Sequence, residues 1–164
     1  MWEILAGLLV GTVASGIIPL VNAELLVIGV VMAAPEIGIP LVASVSAVGQ
    51  MTSKTALFAI ARWAPSRLGG KARAALDRAS GAVAKRGGAA TSIVFTSAFT
   101  GVPPFYGMSL AAGALGMRLR SFVLTGSAGR LVRFALIAWA ARYVGGGAID
   151  IFAAIAAAAA PILG

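Results

Sequence analysis

Residues 16–25 read GIIPLVNAEL, and they lie inside an apolar run of about residues 4–34. Within that run stand Pro19, Asn22 and Glu24. A proline inside a helix removes a backbone hydrogen bond and breaks or kinks the helix. A carboxylate at membrane depth is costly unless it faces protein or water. The run is therefore expected to turn near Pro19 and come back as a hairpin, with Glu24 turned inward.

Composition sets the surroundings of this hairpin. Of 164 residues, 60% are hydrophobic and 11% charged, against about 25% charged in a soluble domain. With a mean hydropathy of +0.98, the chain is expected to be one membrane domain over residues 1–164. Cysteine and histidine are both absent. That removes disulfides, thiol nucleophiles, haem and zinc, and also the commonest general base. We expect no cofactor, no metal and no enzymatic activity, because five acids in all leave few catalytic constellations to build. The net charge of +8 raises the question of nucleic acid. No soluble basic domain with interleaved aromatics is present, so nucleic acid is not an expected partner. The opening MWEILAGLLV has no basic leader and carries Glu3, and is expected to belong to the mature protein.

Outward from the hairpin the chain divides into blocks. Residues 37–63 are long enough to span a bilayer. Residues 64–88 form the one polar stretch, and the basic residues 62–86 (Arg62, Arg67, Lys71, Arg73, Arg78, Lys85, Arg86) mark it as cytoplasmic by the positive-inside rule. Its alanine-rich middle, Lys71 to Lys85, is expected to be an amphipathic surface helix near anionic headgroups. Residues 89–117 are apolar but broken by Gly101, Pro103 and Pro104, with Arg86 before them and Arg118 and Arg120 after. Basic residues at both ends favour a second hairpin entering and leaving from the cytoplasm. Residues 119–143 can span, and 148–164 form an apolar, alanine-rich tail.

The two broken segments align without gaps: GIIPLVNAEL lies over GVPPFYGMSL, Gly16 over Gly101, Pro19 over Pro104 and Glu24 over Ser109. The helices that follow align as well, Ser53–Ala59 over Gly129–Ala135, which sets Lys54 over Arg130 and Phe58 over Phe134. Hairpin, span, basic link, hairpin, span is inverted-repeat order, because one span between the hairpins puts their entrances on opposite faces. Secondary transporters use that order, with a midplane site at broken helices. The expected fold is an all-α integral membrane protein: two inverted re-entrant hairpins, each followed by a transmembrane helix, with a cytoplasmic amphipathic helix between the halves. Its place is the cell (inner or plasma) membrane, multi-pass.

Three cations fall at depth. Lys54 is eight residues from Arg62, roughly 12 Å along a helix. Arg130 is midway between Arg118 and Arg142, and Arg133 shares its face. A charge at mid-membrane costs about 2.5–3.5 kcal/mol even on the lenient insertion scale, so these groups are expected to face inward with Glu24. Two readings stay open at this point. Ion pairs of Glu24 with Lys54 or Arg130 would simply lock hairpins to spans. Alternatively the cations bind an anion, with phosphate favoured by the planar fork of arginine, and Glu24 is a titratable coupling group. Pro19, Asn22, Pro103, Pro104 and Ser109 mark the hairpin tips. Phe105 and Tyr106 after the double proline are candidates to line a site, with packing the favoured role, and Gly126 and Gly129 are expected to pack.

At these residues the chain resembles the DedA family, the SNARE-associated, VTT-domain membrane proteins, over about residues 15 to 143. IPLVNAE is similar to the family's proline-rich motif ending in an acid, here Glu24, and Glu36 would take the place of its second acid. SKTALFAIAR resembles a Gly-Asp…aromatic…Gly-Arg pattern, with Lys54 at the usual Asp. RGGAATSIVF and SLAAGALGM are similar to the stretches that open and close the second hairpin. The family's Arg-x-x-Pro-x-x-Arg is absent from FTGVPPFYG, and the chain looks like a divergent, small, YqaA-like member. The resemblance implies movement or scrambling of lipids, including polyprenyl-phosphate-like lipid phosphates, with protons as a coupling partner. Membrane lipids, an anionic lipid phosphate, protons and a homo-oligomer are the partners it implies. A transporter of another small anionic solute and a non-transport membrane assembly protein are the alternatives.

Overall fold

The computed structural model describes residues 1–18, 21–64, 66, 68–85 and 90–144, without the side chains of 81–85. Pro19 and the 148–164 tail lie outside the described residues, as do Arg67 and Arg86. Every described element is helical: α1 (Trp2–Ile17), α2 (Ala23–Ala33), α3 (Ile39–Trp63), α4 (Gly70–Lys85), α5 (Ala90–Thr100), α6 (Phe105–Ala114) and α7 (Leu119–Tyr143). No strand occurs among the described residues.

Each break has a local cause. Ile18 precedes a proline, which disfavours helical backbone in the residue before it, and it is extended. The side chain of Asn22 caps α2, accepting from the Glu24 N–H at 2.8 Å. That satisfies one of the orphan donors of a helix start, and Glu24 in the first turn suits the positive end of the helix dipole. Gly38 and Pro40 begin α3, with proline at an opening position that has no intrahelical partner for its missing N–H. Gly101 ends α5 with φ +82°, a conformation that costs a side-chain-bearing residue. Pro104 then caps α6.

The packing has a recurring pattern. In the first half α1 lies on α3, and in the second α5 lies on α7. The other members cross over, with α2 on α7 and α6 on α3, and α3 and α7 pack on each other. Small residues permit these crossings. A Cβ on Gly16 would fall on Ser53, one on Gly49 on Thr12 and the Leu9 carbonyl, and one on Gly129 on Ala98 and the Phe95 carbonyl. One core cluster joins Leu8, Val27, Val31, Val42 and Phe134. A second joins Met51, Phe58, Phe105, Met108 and Phe122, where Phe58 stacks on Phe122 at 4.8 Å between ring centroids.

The structure adds detail to two sequence expectations. Among the described residues α7 is the one helix both long and apolar enough to cross a membrane, by length and composition. α3 matches it in length, at 25 residues, but its polar face holds it below that hydropathy. Its polar groups face the inside of the bundle: Ser46, Gln50, Ser53 and Lys54 are all buried. The second concerns α4. It is expected as an amphipathic surface helix, and its apolar face packs on the bundle: Ala79 is buried in the core and Ala72, Ala75 and Leu76 pack around Leu68, Leu57 and Leu110. Its outward face, with Lys71, Arg73, Asp77 and Arg78, is exposed.

The closest approach of a glycine to another helix's backbone is α6 on α3, where a Cβ on Gly113 would lie 2.3 Å from the Phe58 carbonyl oxygen. Gly29 in α2 has nothing within 4 Å of the same position. Gly113→Ala should therefore destabilise the protein by about 1–3 kcal/mol, whereas Gly29→Ala should be neutral or stabilise by up to about 1 kcal/mol. Thermal unfolding in detergent reads both, and equal behaviour of the two would contradict the α3–α6 contact.

Candidate functional site

Four helix ends converge on one cavity of about 320 Å³. Ser15 comes from the end of α1, and Asn22, Ala23 and Glu24 from the start of α2. Gly101 follows α5, and Pro104, Phe105 and Tyr106 open α6. The long helices cross behind them, α3 contributing Gln50 and Lys54, and α7 contributing Arg130, Arg133 and Phe134. The cavity has many times the space that a single water needs.

The cations are placed by the broken helices. A helix end leaves carbonyls without partners and carries partial negative charge. Lys54 Nζ donates to the Gly16 carbonyl at 2.7 Å, in the last turn of α1. Arg133 does the same for α5, its Nη1 donating to the Phe99 carbonyl at 2.6 Å. Each break is thus closed by a cation from the long helix that follows it.

Arg133 has a second partner. Its Nε donates to Glu24 Oε1 at 3.0 Å, and its Nη2 bonds the same oxygen. The pair is half-exposed, with 22% of the Arg133 side chain and 39% of the Glu24 side chain accessible. The sequence reading offered Lys54 or Arg130 as the partner of Glu24. Arg133 takes that place because it lies one turn beyond Arg130 on α7, beside the start of α2. Arg133 therefore ties both hairpins together, at α2 through Glu24 and at α5 through Phe99.

Arg130 is different. Only 8% of it is accessible, and its Cζ lies 4.7 Å from the centroid of the Phe105 ring. Its Nε is buried with no hydrogen-bond partner, and no ion pair joins it to any described acid. Counting the cavity's charges, Lys54, Arg130 and Arg133 supply three positive and Glu24 one negative, which leaves two positive charges. A buried charge without a paired counter-charge costs several kcal/mol, and the buried Nε without an acceptor adds to that. The start of α6 also faces this cavity, with no side-chain cap on its N–H groups, and such a helix start favours an anion.

Not every residue expected at the site is there. Glu36 is exposed in the turn between α2 and α3 and does not line the cavity. Ser109 is buried and donates to the Phe105 carbonyl at 2.7 Å, so its hydroxyl is spent within α6. Pro103 faces a different cavity, beside α4. Ser53 and Lys54 diverge, the serine to the Gln50 carbonyl and the lysine to Gly16. Conversely, Phe105 and Tyr106 do more than pack: each presents a ring to a cation, with Lys54 Nζ 5.3 Å from the Tyr106 centroid. Sequence reasoning missed Gln50 and Ser15. Gln50 Nε2 donates to Ser15 Oγ at 3.0 Å, and Gln50 Oε1 is buried without a partner. The available signal was spacing, since Gln50 and Lys54 are four residues apart and share a helix face.

Among the described residues no group of three or more Cys, His, Asp or Glu gathers to hold a metal. Comparison with known proteins gives no matching family model, no matching curated protein and no matching solved structure.

The Arg133 bridge makes a stability prediction. Glu24→Gln removes one interaction and Arg133→Gln removes two, so Arg133→Gln should be the more destabilising. The double variant should be non-additive, with a coupling of about 1 kcal/mol for a half-exposed pair. Unfolding of the four proteins in detergent measures the cycle, and strict additivity would contradict the bridge.

Proposed function

We propose that this chain is an integral membrane protein that binds a phosphate-type anion in the central cavity and moves it across the bilayer. In this reading α3 and α7 are the spans, and α1–α2 and α5–α6 are re-entrant hairpins entering from opposite faces. Helix lengths support it. α1, α2, α5 and α6 have 16, 11, 11 and 10 residues. At about 1.5 Å per residue each is shorter than a hydrocarbon core of about 30 Å. The partners within each pair pack on each other, as hairpin arms do. Non-helical backbone at depth is tolerated where it lines a cavity or is buried in protein, and both breaks line this one. The repeated packing of the halves supports an inverted repeat, and the basic α4 face supports a cytoplasmic link.

The observation that carries the anion reading is Arg130: buried, without an acceptor, in a cavity with two surplus positive charges. Together with the resemblance to DedA proteins, this favours a lipid phosphate as the cargo, transported or scrambled across the membrane. Glu24 then acts as the coupling group. Proton uptake by Glu24 releases Arg133, and an anion takes the vacated donors. A proton and an anion thus bind together, each taking one member of the same ion pair.

A second reading has one observation in its favour. Glu24 is paired, as a locked membrane assembly protein would require. The cavity and the free guanidinium of Arg130 speak for the transporter, because a lock needs neither.

Inorganic phosphate binding to the full chain in nanodiscs, followed by calorimetry, tests the site. Arg130→Gln should weaken binding by about tenfold to a hundredfold, the range for hydrogen bonds to a charged group. Unchanged affinity with intact folding would overturn the reading. Flipping of a lipid phosphate in proteoliposomes under a pH gradient tests coupling. Glu24→Gln should abolish the dependence on the gradient, and equal gradient dependence in both proteins would remove Glu24 from the mechanism.

A further inference from the structure

The central cavity has a neighbour. A second cavity, of about 220 Å³, lies between α4 and the turn joining α5 to α6, with Ala75, Arg78, Ala79 and Pro103 on its walls. Pro104 and Tyr106 line both cavities. Their side chains stand between the two cavities, with three cations on the inner face and Arg78, in otherwise apolar walls, on the outer. On the inner face stands Lys54, its Nζ 5.3 Å from the Tyr106 ring centroid. On the outer face stands Arg78, exposed, its Nε held by the Ala74 carbonyl at 3.0 Å. That bond fixes the base of the guanidinium and leaves its terminal nitrogens without a partner among the described residues.

The partition has one movable member. The ring of Pro104 fixes its φ. Phe105 is buried and stacks on Phe122 at 6.0 Å between centroids. Tyr106 is half-buried, and its hydroxyl makes no hydrogen bond among the described residues. Its ring rests at the edge of the Leu57, Ala61, Leu68 and Leu110 cluster and against Lys54, so a rotamer change breaks apolar and cation–ring contacts but no hydrogen bond. The outer chamber, by contrast, is held in place. A Cβ on Gly107 would lie 2.9 Å from the Ala75 carbonyl oxygen, so α4 is seated against α6 at the chamber's edge. Ala79 anchors the same helix in the core.

We infer that Tyr106 is a gate between two anion stations, and that Arg78 in the α4 chamber receives the phosphate-type anion leaving Arg130 and Lys54. The inference rests on the central cavity being an anion site. When the Tyr106 ring swings aside the chambers become continuous, and the anion passes from a buried cation pair to an exposed cation. Release follows from that gradient of exposure, because solvent weakens the hold of the last charge. The same chemistry serves a phosphate free in solution and one borne by a lipid.

The chain has no cysteine, so an introduced thiol is unique. Ser15→Cys places one in the central cavity, on the full chain in proteoliposomes. An anionic and a cationic methanethiosulfonate are then compared, added from the side of α4. The anionic reagent should react about tenfold faster or more, as expected of a focused positive field. Tyr106→Ala should raise its rate from the α4 side by about tenfold, as a closed gate becomes an open one. Tyr106→Phe, which keeps the ring, should match the parent. Arg78→Glu should slow the anionic reagent from the α4 side only. Unchanged rates in Tyr106→Ala, or equal slowing from both sides in Arg78→Glu, would overturn the gate. Loss of the anionic preference in the parent would instead overturn the central site, whatever Tyr106 does. Protection of the thiol by inorganic phosphate identifies a soluble anion, and protection by phosphatidic acid alone a lipid headgroup. Protection by neither would contradict both stations.

Discussion

A broken helix leaves backbone carbonyls without helical partners, and the centre of this protein is organised by closing two such breaks. Lys54 closes the end of α1 at the Gly16 carbonyl, and Arg133 closes the end of α5 at Phe99. Each donor comes from the long helix that succeeds its own break. The cost of burying a cation is offset by the carbonyl it satisfies and by the negative end of the helix dipole. Once both cations are committed, the geometry of the rest is constrained. The long helices must cross where the breaks meet, and the breaks must face each other across the space that remains.

That space carries more positive charge than its backbone needs. Glu24 neutralises Arg133 and sits where an acid is favoured, in the first turn of α2. Arg130 then has a ring beneath it and no acceptor. A cation over an aromatic face gains about 0.5–2 kcal/mol, which falls short of what desolvating an arginine costs. The shortfall is the physical basis of the anion reading. Arg133 is the junction of the structure, since one guanidinium joins an acid, a helix end and both halves of the bundle.

The helical plan was legible in the sequence because it is written in prolines, glycines and charge spacing. Pro104 and Gly101 mark the end of α5 and the start of α6, and the flanking basic residues mark the ends of the long helices. The central cations were legible too, since Lys54, Arg130 and Arg133 stand out in apolar surroundings, and all three line the cavity. Their partners were not. Nothing in the spacing of Glu24 distinguishes Arg133 from Arg130, because the choice depends on how α2 is rotated against α7. Ser109 and Glu36 misled for a related reason. Alignment and resemblance assign positions, whereas a hydroxyl can be spent within its own helix and a turn acid can face outward. The role of α4 was hidden because an alanine stripe suits a protein groove as well as a membrane surface.

The central claim is that an anion sits on the guanidinium of Arg130. A dipolar-recoupling measurement by solid-state NMR reads that contact directly. Phosphorus in a bound phosphate monoester is observed against nitrogen-15 arginine in the full chain, embedded in lipid. Charge-assisted hydrogen bonds of about 2.8 Å from nitrogen to oxygen place phosphorus within about 4 Å of the guanidinium nitrogens. The account predicts strong dephasing of the phosphorus signal that disappears in Arg130→Gln. Dephasing that survives in Arg130→Gln, or a bound phosphate that shows none in the parent, would contradict it.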